Sequence, residues 1–284
     1  MKFTDLYSKG FQYSLEVFPP KTEKGIENLI IQLKKLEQIN PAYVSVTYGA
    51  MGTTRDMTKE LAFKLYDEIQ AYTAFHFTCV GSSRHAIKEY VDLLYDKGIN
   101  LVLALRGDWP NEQVEQHPMQ DGFSYANELM AYLKELHNFS IAVAGYPEKH
   151  PEACSMEEDI DYLKRKVDTG AEVILTQLFY NNDYYYDWLE KVRKAGVSIP
   201  IVPGIMPIMK LSQVQRITNM CGAKMPQTLL EQLEQCGDDE DAMRDVGVTH
   251  AITQCQDLKK QGVPGIHFYC LNKAYSVLKI VEAM

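Results

Sequence analysis

No stretch of this sequence approaches the ~20 consecutive apolar residues that a membrane-crossing helix needs. Basic charge is not in excess either: 29 Lys and Arg against 38 Asp and Glu leave a net charge of -9. A nucleic-acid or anionic-membrane partner therefore has no general electrostatic support. The six cysteines (Cys79, Cys154, Cys221, Cys236, Cys255 and Cys270) are scattered, with no CxxC pair. They read as reduced, mostly packed thiols of a cytoplasmic protein. The N-terminus lacks the uninterrupted apolar core of a signal peptide. No strand-like run is followed by GxGxxG, which counts against an open doubly wound dinucleotide fold. No HxxH spacing supports a metal, and no Ser/Gly-rich linker divides the 284 residues.

What is present is a repeat. Eight apolar, strand-like runs are each followed by a helical pattern: 12–18, 42–48, 75–80, 100–105, 140–146, 172–179, 200–205 and 265–271. Lys97-Gly98-Ile99, Thr169-Gly170-Ala171, Ala195-Gly196-Val197 and Gln261-Gly262-Val263 each put a glycine at a helix end just before a strand. That is the left-handed helix cap of a βα unit. Eight such units in this length predict an α/β fold, a single (β/α)8 TIM barrel spanning residues 1–284. Between strands seven and eight there is room for extra helices (211–221, 227–236 and 239–260). The helix of the second unit is predicted over about 55–72.

In such a barrel the chemistry sits where strands end. The run Asn100–Leu105 breaks at Arg106-Gly107-Asp108, lifting a cation and a carboxylate out of a core beside a permissive backbone. Strand one delivers Glu16 ahead of Pro19-Pro20. A carboxyl inside a barrel is costly to ionise unless paired, and a raised pKa would suit a general acid. Thr47 and Tyr48 at the end of strand two suit the lining of a flat ring, and Gln177 on strand six can read a heterocycle by paired donor and acceptor. His76 on strand three, taken alone, reads more often as a satisfied core histidine. After strand five, Tyr146, Glu148 and His150 form a polar loop bracketed by prolines. The next helix carries Asp159, Tyr162, Arg165 and Lys166, whose adjacent cations could hold a pyrophosphate or simply face solvent.

The segments Glu16-Val17-Phe18-Pro19-Pro20, Val44–Ala50, Leu105–Asp108 and Ala144–Pro151 resemble methylenetetrahydrofolate reductase. Leu163–Ala171, Thr176-Gln177, Pro203-Gly204-Ile205 and His267–Asn272 continue the resemblance in the same order, over essentially the whole chain. The likeness is to the bacterial type, catalytic domain only. It implies an FAD-containing barrel that takes hydride from NADH or NADPH and passes it, in ping-pong order, to 5,10-methylenetetrahydrofolate. The product, 5-methyltetrahydrofolate, would supply methyl groups for methionine synthesis. Glu16 would protonate the folate at N10, and Asp108 would favour the cationic iminium. Thr47, Tyr48, Ala50, His76, Arg106, Gly107, Asp108, Tyr125, Ala144, Tyr146, His150, Ala153, Asp159, Tyr162, Arg165 and Lys166 would surround FAD. Glu16, Thr47, Asp108, Gln177, Gln213 and Lys273 would meet substrate. No metal is implied, and a cytoplasmic homo-oligomer is expected.

Two positions depart from the family pattern. Lys273 stands where relatives can carry an arginine, keeping charge but losing the bidentate fork. Ile217, near Gln213, stands where a stacking phenylalanine can occur. A folate-binding barrel methyltransferase and a non-catalytic subunit are the competing readings. The first would want gathered thiolate or imidazole ligands, and the second would predict loss of Glu16 or Asp108, both of which are present.

Overall fold

The structure, a computed structural model, describes residues 1–48, 53–107 and 121–284. The predicted site residues Ala50 and Asp108 lie outside the described residues.

Among the described residues nine parallel strands form the sheet: β1 (Gln12–Val17), β2 (Tyr43–Val46), β3 (Tyr72–Thr78), β4 (Leu101–Leu105), β5 (Ser140–Gly145), β6 (Val173–Thr176), β7 (Ile201–Val202), β8 (Gly204–Ile205) and β9 (Gly265–Tyr269). Their spatial order is β7-β6-β5-β4-β3-β2-β1-β9-β8. Because β7 pairs with β6 and β8 with β9, the short chain through Pro203 joins the two ends of the sheet and makes it a barrel. One run was expected over 200–205. It is split because Pro203 has no N–H to give a ladder, while its carbonyl still accepts from the His267 N–H at 2.9 Å.

Helices α1 (Phe3–Tyr7), α2 (Glu23–Leu36), α3 (Thr53–Glu68), α4 (Arg84–Asp96), α5 (Ala126–Leu136), α6 (Met156–Asp168), α7 (Asn182–Lys194), α8 (Leu211–Cys221), α9 (Gln227–Gln235), α10 (Glu240–Lys260) and α11 (Tyr275–Glu282) accompany the strands. Hydroxyl caps start several of them: Thr22, Ser83 and Ser155 accept from the N–H groups of Gly25, Ala86 and Glu158. The four return glycines all have positive φ, between 79° and 101°. Helix α3 stops at Glu68 rather than near residue 72, because Tyr72 already belongs to β3.

Alternation along each strand separates two cores. Leu15, Val44, Phe75, Val102, Ile141, Ile174 and Phe268 face the helices in the main core. Tyr43, Ala74, Leu101, Leu103, Ala142, Val173, Leu175 and Val202 fill the barrel, and α1 adds Phe3, Leu6 and Tyr7 to that cluster. The Phe3 N–H is tied to Ser140 Oγ at the start of β5, at 2.8 Å, so α1 closes the end where strands begin. A third cluster joins α8, α9 and α10 through Val214, Leu229, Leu233 and Met243 to Leu178, Tyr180, Met206 and Ile208 beyond the strand ends. Helix α8 thereby stands over the opposite end, where the strands finish.

Candidate active site

A cavity of about 320 Å³ opens at that end. Its wall contains Glu16, Thr47, His76, Leu103, Leu105, Ala144, Tyr146, Leu175, Gln177 and Tyr269 from strands and strand ends, with Phe18, Met206, Ile217 and Leu271 toward the cap. It is apolar with few polar groups, as small-molecule sites are.

Strand register explains its centre. Ser14 lies level with Tyr43 on one side and His267 on the other, and Glu16 lies level with Ser45 and Tyr269. His76 comes from β3. Glu16 Oε2 is 3.3 Å from His76 Nε2 and 3.3 Å from His267 Nε2. Ser45 donates to the Leu15 carbonyl, so its oxygen accepts from His76 Nε2–H at 3.2 Å, which makes that nitrogen the donor toward Glu16 as well. Among the described residues no partner reaches Glu16 Oε1.

Burial pushes the Glu16 carboxyl up, but the charge of His76 and the hydrogen bonds of His267 and His76 outweigh it and hold the group down at about 2. A raised value was expected from the sequence. The reversal comes from two histidines on other strands that converge on one oxygen.

Gln177 accepts the Leu178 N–H through Oε1 at 2.9 Å, leaving its amide nitrogen without a partner among the described residues. Tyr269 donates to the Thr176 carbonyl at 2.6 Å. The Asn272 side chain accepts from the Phe18 N–H at 3.0 Å and donates to the Phe18 carbonyl at 2.8 Å, replacing the next strand rung at the cavity edge.

Beside the cavity, the ends of β4 and β5 and helix α6 carry charge. Arg106 holds the Glu152 carboxylate with both terminal nitrogens, Nη2 at 2.6 Å from Oε1. Gly107 has φ +85°, and a Cβ there would lie 2.8 Å from Thr78 Cβ, so only glycine fits. Lys166 Nζ donates to the Ala144 carbonyl at 2.7 Å, which brings α6 onto β5 next to the cavity wall. Burial lowers its pKa to about 8, against the opposing pull of Asp159. Asp159 accepts from the His150 N–H at 3.2 Å and is itself raised by burial. Burial first, and the Arg106 charge second, lower the His150 pKa. The His150 ring meets Tyr146 edge-on at 4.6 Å, and Lys149 Nζ bonds the carbonyls of His150 and Ala153, at 3.0 and 2.5 Å.

The sequence-predicted residues thus fall into groups. Glu16, Thr47, His76, Ala144, Tyr146 and Gln177 share the cavity wall. Arg106, Gly107, His150, Ala153, Asp159 and Lys166 form the charged rim beside it. Tyr48 packs among Phe75, Phe77 and Tyr90. Tyr125 and Tyr162 are exposed, with Arg165 over the Tyr162 ring. Gln213 and Lys273 are not in the cavity wall. Sequence reasoning gave no role to His267, Ser14, Tyr43, Tyr269 or Glu152. Ser14 was within reach by the two-residue period from Glu16, whereas His267 and Tyr43 required the register.

Among the described residues no group of three His, Cys, Asp or Glu side chains is placed to hold a metal ion. No described helix is long and apolar enough to cross a membrane.

Comparison with known proteins adds lineage to this geometry. The family model described as methylenetetrahydrofolate reductase matches residues 2–284. A Buchnera aphidicola 5,10-methylenetetrahydrofolate reductase is 36% identical over 275 residues, covering 96% of this chain and 92% of that protein. The Escherichia coli enzyme of that name is 33% identical, covering 92% and 86%. Methylenetetrahydrofolate reductase (NADH) 1 of Arabidopsis thaliana is 36% identical over 280 residues, but this chain spans only 47% of it. Among solved structures, a Clostridium thermocellum protein described as binding two copies of 5-methyl-5,6,7,8-tetrahydrofolic acid has a similar fold. Its TM-score is 0.61 at 13% identity, covering 96% of this chain and 93% of that one.

Proposed function

Since the chain belongs to the methylenetetrahydrofolate reductase family, we propose that it reduces 5,10-methylenetetrahydrofolate to 5-methyltetrahydrofolate with FAD as cofactor and NADH or NADPH as reductant. The observation that carries this reading is Glu16 in the wall of an apolar cavity, with two imidazoles on one carboxylate oxygen and the other oxygen unpartnered among the described residues. That arrangement stores a proton next to a group able to deliver it, as opening the folate imidazolidine ring at N10 requires.

The residues present fit FAD. Arg106, His150 and Lys166 supply the cationic and donor groups that a pyrophosphate takes up, and burial leaves the Lys166 ammonium short of a counter-charge that an anion would provide. Gly107 lets backbone approach closely where a side chain would collide with Thr78. Thr47, Ala144 and Tyr146 offer hydroxyl and small surfaces for a flat ring at the cavity wall. When bound, the flavin supplies hydride transfer, first from nicotinamide and then to the folate.

The protein does the rest. Gln177 orients the pterin with its unpartnered amide nitrogen. Leu103, Leu105, Leu175 and Met206 exclude water around the reacting atoms. Glu16 carries the proton to N10, and His267 and His76 keep one in contact with Glu16 Oε2. Asp108, outside the described residues, is proposed to favour the cationic iminium. Nicotinamide and folate would use this cavity in turn, giving ping-pong order.

An anaerobic absorbance titration tests the proposal. Purified protein should show a flavin band that bleaches with NADH or NADPH and returns with methylenetetrahydrofolate. Absence of a flavin band after incubation with FAD, or a bleached band that the folate fails to restore, would overturn it.

A further inference from the structure

Among the described residues other than glycine, positive φ occurs twice in succession only at the exit of β9. Leu271 stands at φ +50° and Asn272 at +58°, in the left-handed region that most side chains avoid. The Lys273 N–H donates to the Cys270 carbonyl at 3.0 Å and closes a four-residue turn around the pair. Turns with both central residues at positive φ favour Asn and Gly, not a branched aliphatic. Asn272 suits its place, whereas Leu271 does not, and its side chain lies in the cavity wall. Strain of this kind persists where the surroundings over-determine the backbone.

What the turn achieves is visible on β1. It carries the Asn272 carboxamide back to Phe18, where Oδ1 accepts from the N–H at 3.0 Å and Nδ2 donates to the carbonyl at 2.8 Å. One side chain thus satisfies both main-chain groups of one residue, which also fixes the end of the amide that is oxygen. Main-chain bonding between β1 and β9 has by then run out. Its last bond among the described residues takes the Cys270 N–H to the Glu16 carbonyl at 3.1 Å. On the other flank the Thr47 N–H reaches the Val17 carbonyl at 2.9 Å. Next come Pro19 and Pro20, which have no N–H to offer. Asn272 is therefore the hold on β1 just before the prolines, two residues beyond Glu16.

We propose that Asn272 is a positioning residue for Glu16: by pinning the main chain of Phe18 it sets the rotation of β1 at its exit, and with it the aim of the Glu16 carboxyl into the cavity. This rests on the reading of Glu16 as the acid. Residues two apart share a face of a strand, and Glu16 and Phe18 both reach the cavity wall, so a twist at Phe18 swings Glu16 as well. Glu16 has to keep one oxygen 3.3 Å from both His76 and His267. A shift of about 1 Å would break those contacts, and misplacement of that size costs a reacting group about a hundredfold in rate. The strained turn is the means. Relaxing either residue to a common φ would carry the carboxamide away from Phe18.

The test is Asn272→Gly in FAD-bound protein, with Asn272→Asp beside it. Glycine accepts positive φ without cost, so the turn survives while both bonds to Phe18 are lost. Hydrogen exchange at the Phe18 amide should be slow in the intact protein and about tenfold faster in the glycine variant, as one lost hydrogen bond implies. A crystal structure of that variant should show Glu16 drawn away from at least one imidazole. Folate reduction should fall by about ten- to a hundredfold, with flavin content and its bleaching by NADH or NADPH unchanged. Aspartate keeps the bond from the Phe18 N–H but sets an oxygen against the Phe18 carbonyl, so it should show the same selective loss to a smaller depth. Equal loss in both half-reactions would make Asn272 merely structural and overturn the proposal. Folate reduction at the intact rate in both variants, or a Glu16 that stays in place, would overturn it too. Exchange and structure are read without turnover. A loosened Phe18 and a displaced Glu16, in a protein whose intact form reduces no folate, would support the clamp and sink the functional reading instead.

Discussion

The acid centre and the charged rim lie side by side yet are built on opposite principles. Glu16, Ser14, Ser45, His76 and His267 stand on strands, level with or next to one another by register, and their hydrogen bonds run among themselves inside the barrel. The rim of Arg106, Glu152, His150 and Lys166 stands on strand exits, a loop and a helix, and its charges engage carbonyls and carboxylates of the protein. A centre that must hold a proton at fixed geometry benefits from locked side chains. Under the proposed function, a rim that receives a charged cofactor has to exchange partners, and its ion pairs would be placeholders. Precision belongs to the strands here, and adaptability to the loops and helix at their exits.

Substitutions should respond accordingly. The largest effect is expected at the acid. Glu16→Gln keeps the shape and removes the carboxyl group that would pass the proton on, so folate reduction should fall by about 10²–10⁴-fold, while flavin content and its bleaching by NADH stay as they were. Equal loss in both half-reactions, measured by stopped-flow absorbance, would mean that the acid centre is not separable from the rim. Gly107→Ala strikes the junction of the two regions. Its positive φ and the 2.8 Å approach to Thr78 should cost about 1–3 kcal/mol of stability, read as a lowered unfolding midpoint, with weaker FAD binding. Glu152→Gln should act on the rim alone. Releasing Arg106 from an exposed carboxylate should tighten FAD binding by about two- to fivefold in a fluorescence titration, an effect that high salt erases. Weaker binding would show that Glu152 orients Arg106 instead of competing for it.

This contrast also explains what the sequence disclosed. The barrel was legible because eight apolar runs recur and glycine caps mark four of the returns to the sheet, a local signal that needs no tertiary contact. Glu16 was legible because a carboxylate in a strand is anomalous on its own. The environment that sets its proton affinity was not, since His267 lies 251 residues away and meets it only through the β1–β9 register. The expectation of a raised pKa failed for that reason: burial was visible in the sequence, and the converging imidazoles were not. The split of the 200–205 run at Pro203 was readable in principle, because proline cannot donate to a ladder. The pairing of Arg106 with Glu152 had no sequence signal, as both lie in segments whose paths the strands alone do not determine.

The smallest effect, and the one that separates function from stability most cleanly, is expected at Lys166. Its pKa falls from 10.5 to about 8 because burial disfavours the ammonium, with Asp159 opposing. Between about 8 and 10.5 the unfolded chain therefore binds more protons at this position than the folded one, and stability rises with pH through that window. Below it the full penalty of an ammonium held against its preference is present. Lys166→Met removes that penalty along with the bond to the Ala144 carbonyl. Calorimetry of FAD-free protein should accordingly show a melting temperature raised by about 2 °C at pH 7, with the gain fading as the pH approaches 10. FAD should bind more weakly in the same variant, because the cation that is a burden in the free protein is what an arriving pyrophosphate would neutralise. A variant that is less stable at every pH would instead make the Lys166 bond a structural tie between α6 and β5, and would move this residue from the adaptable rim to the fixed frame.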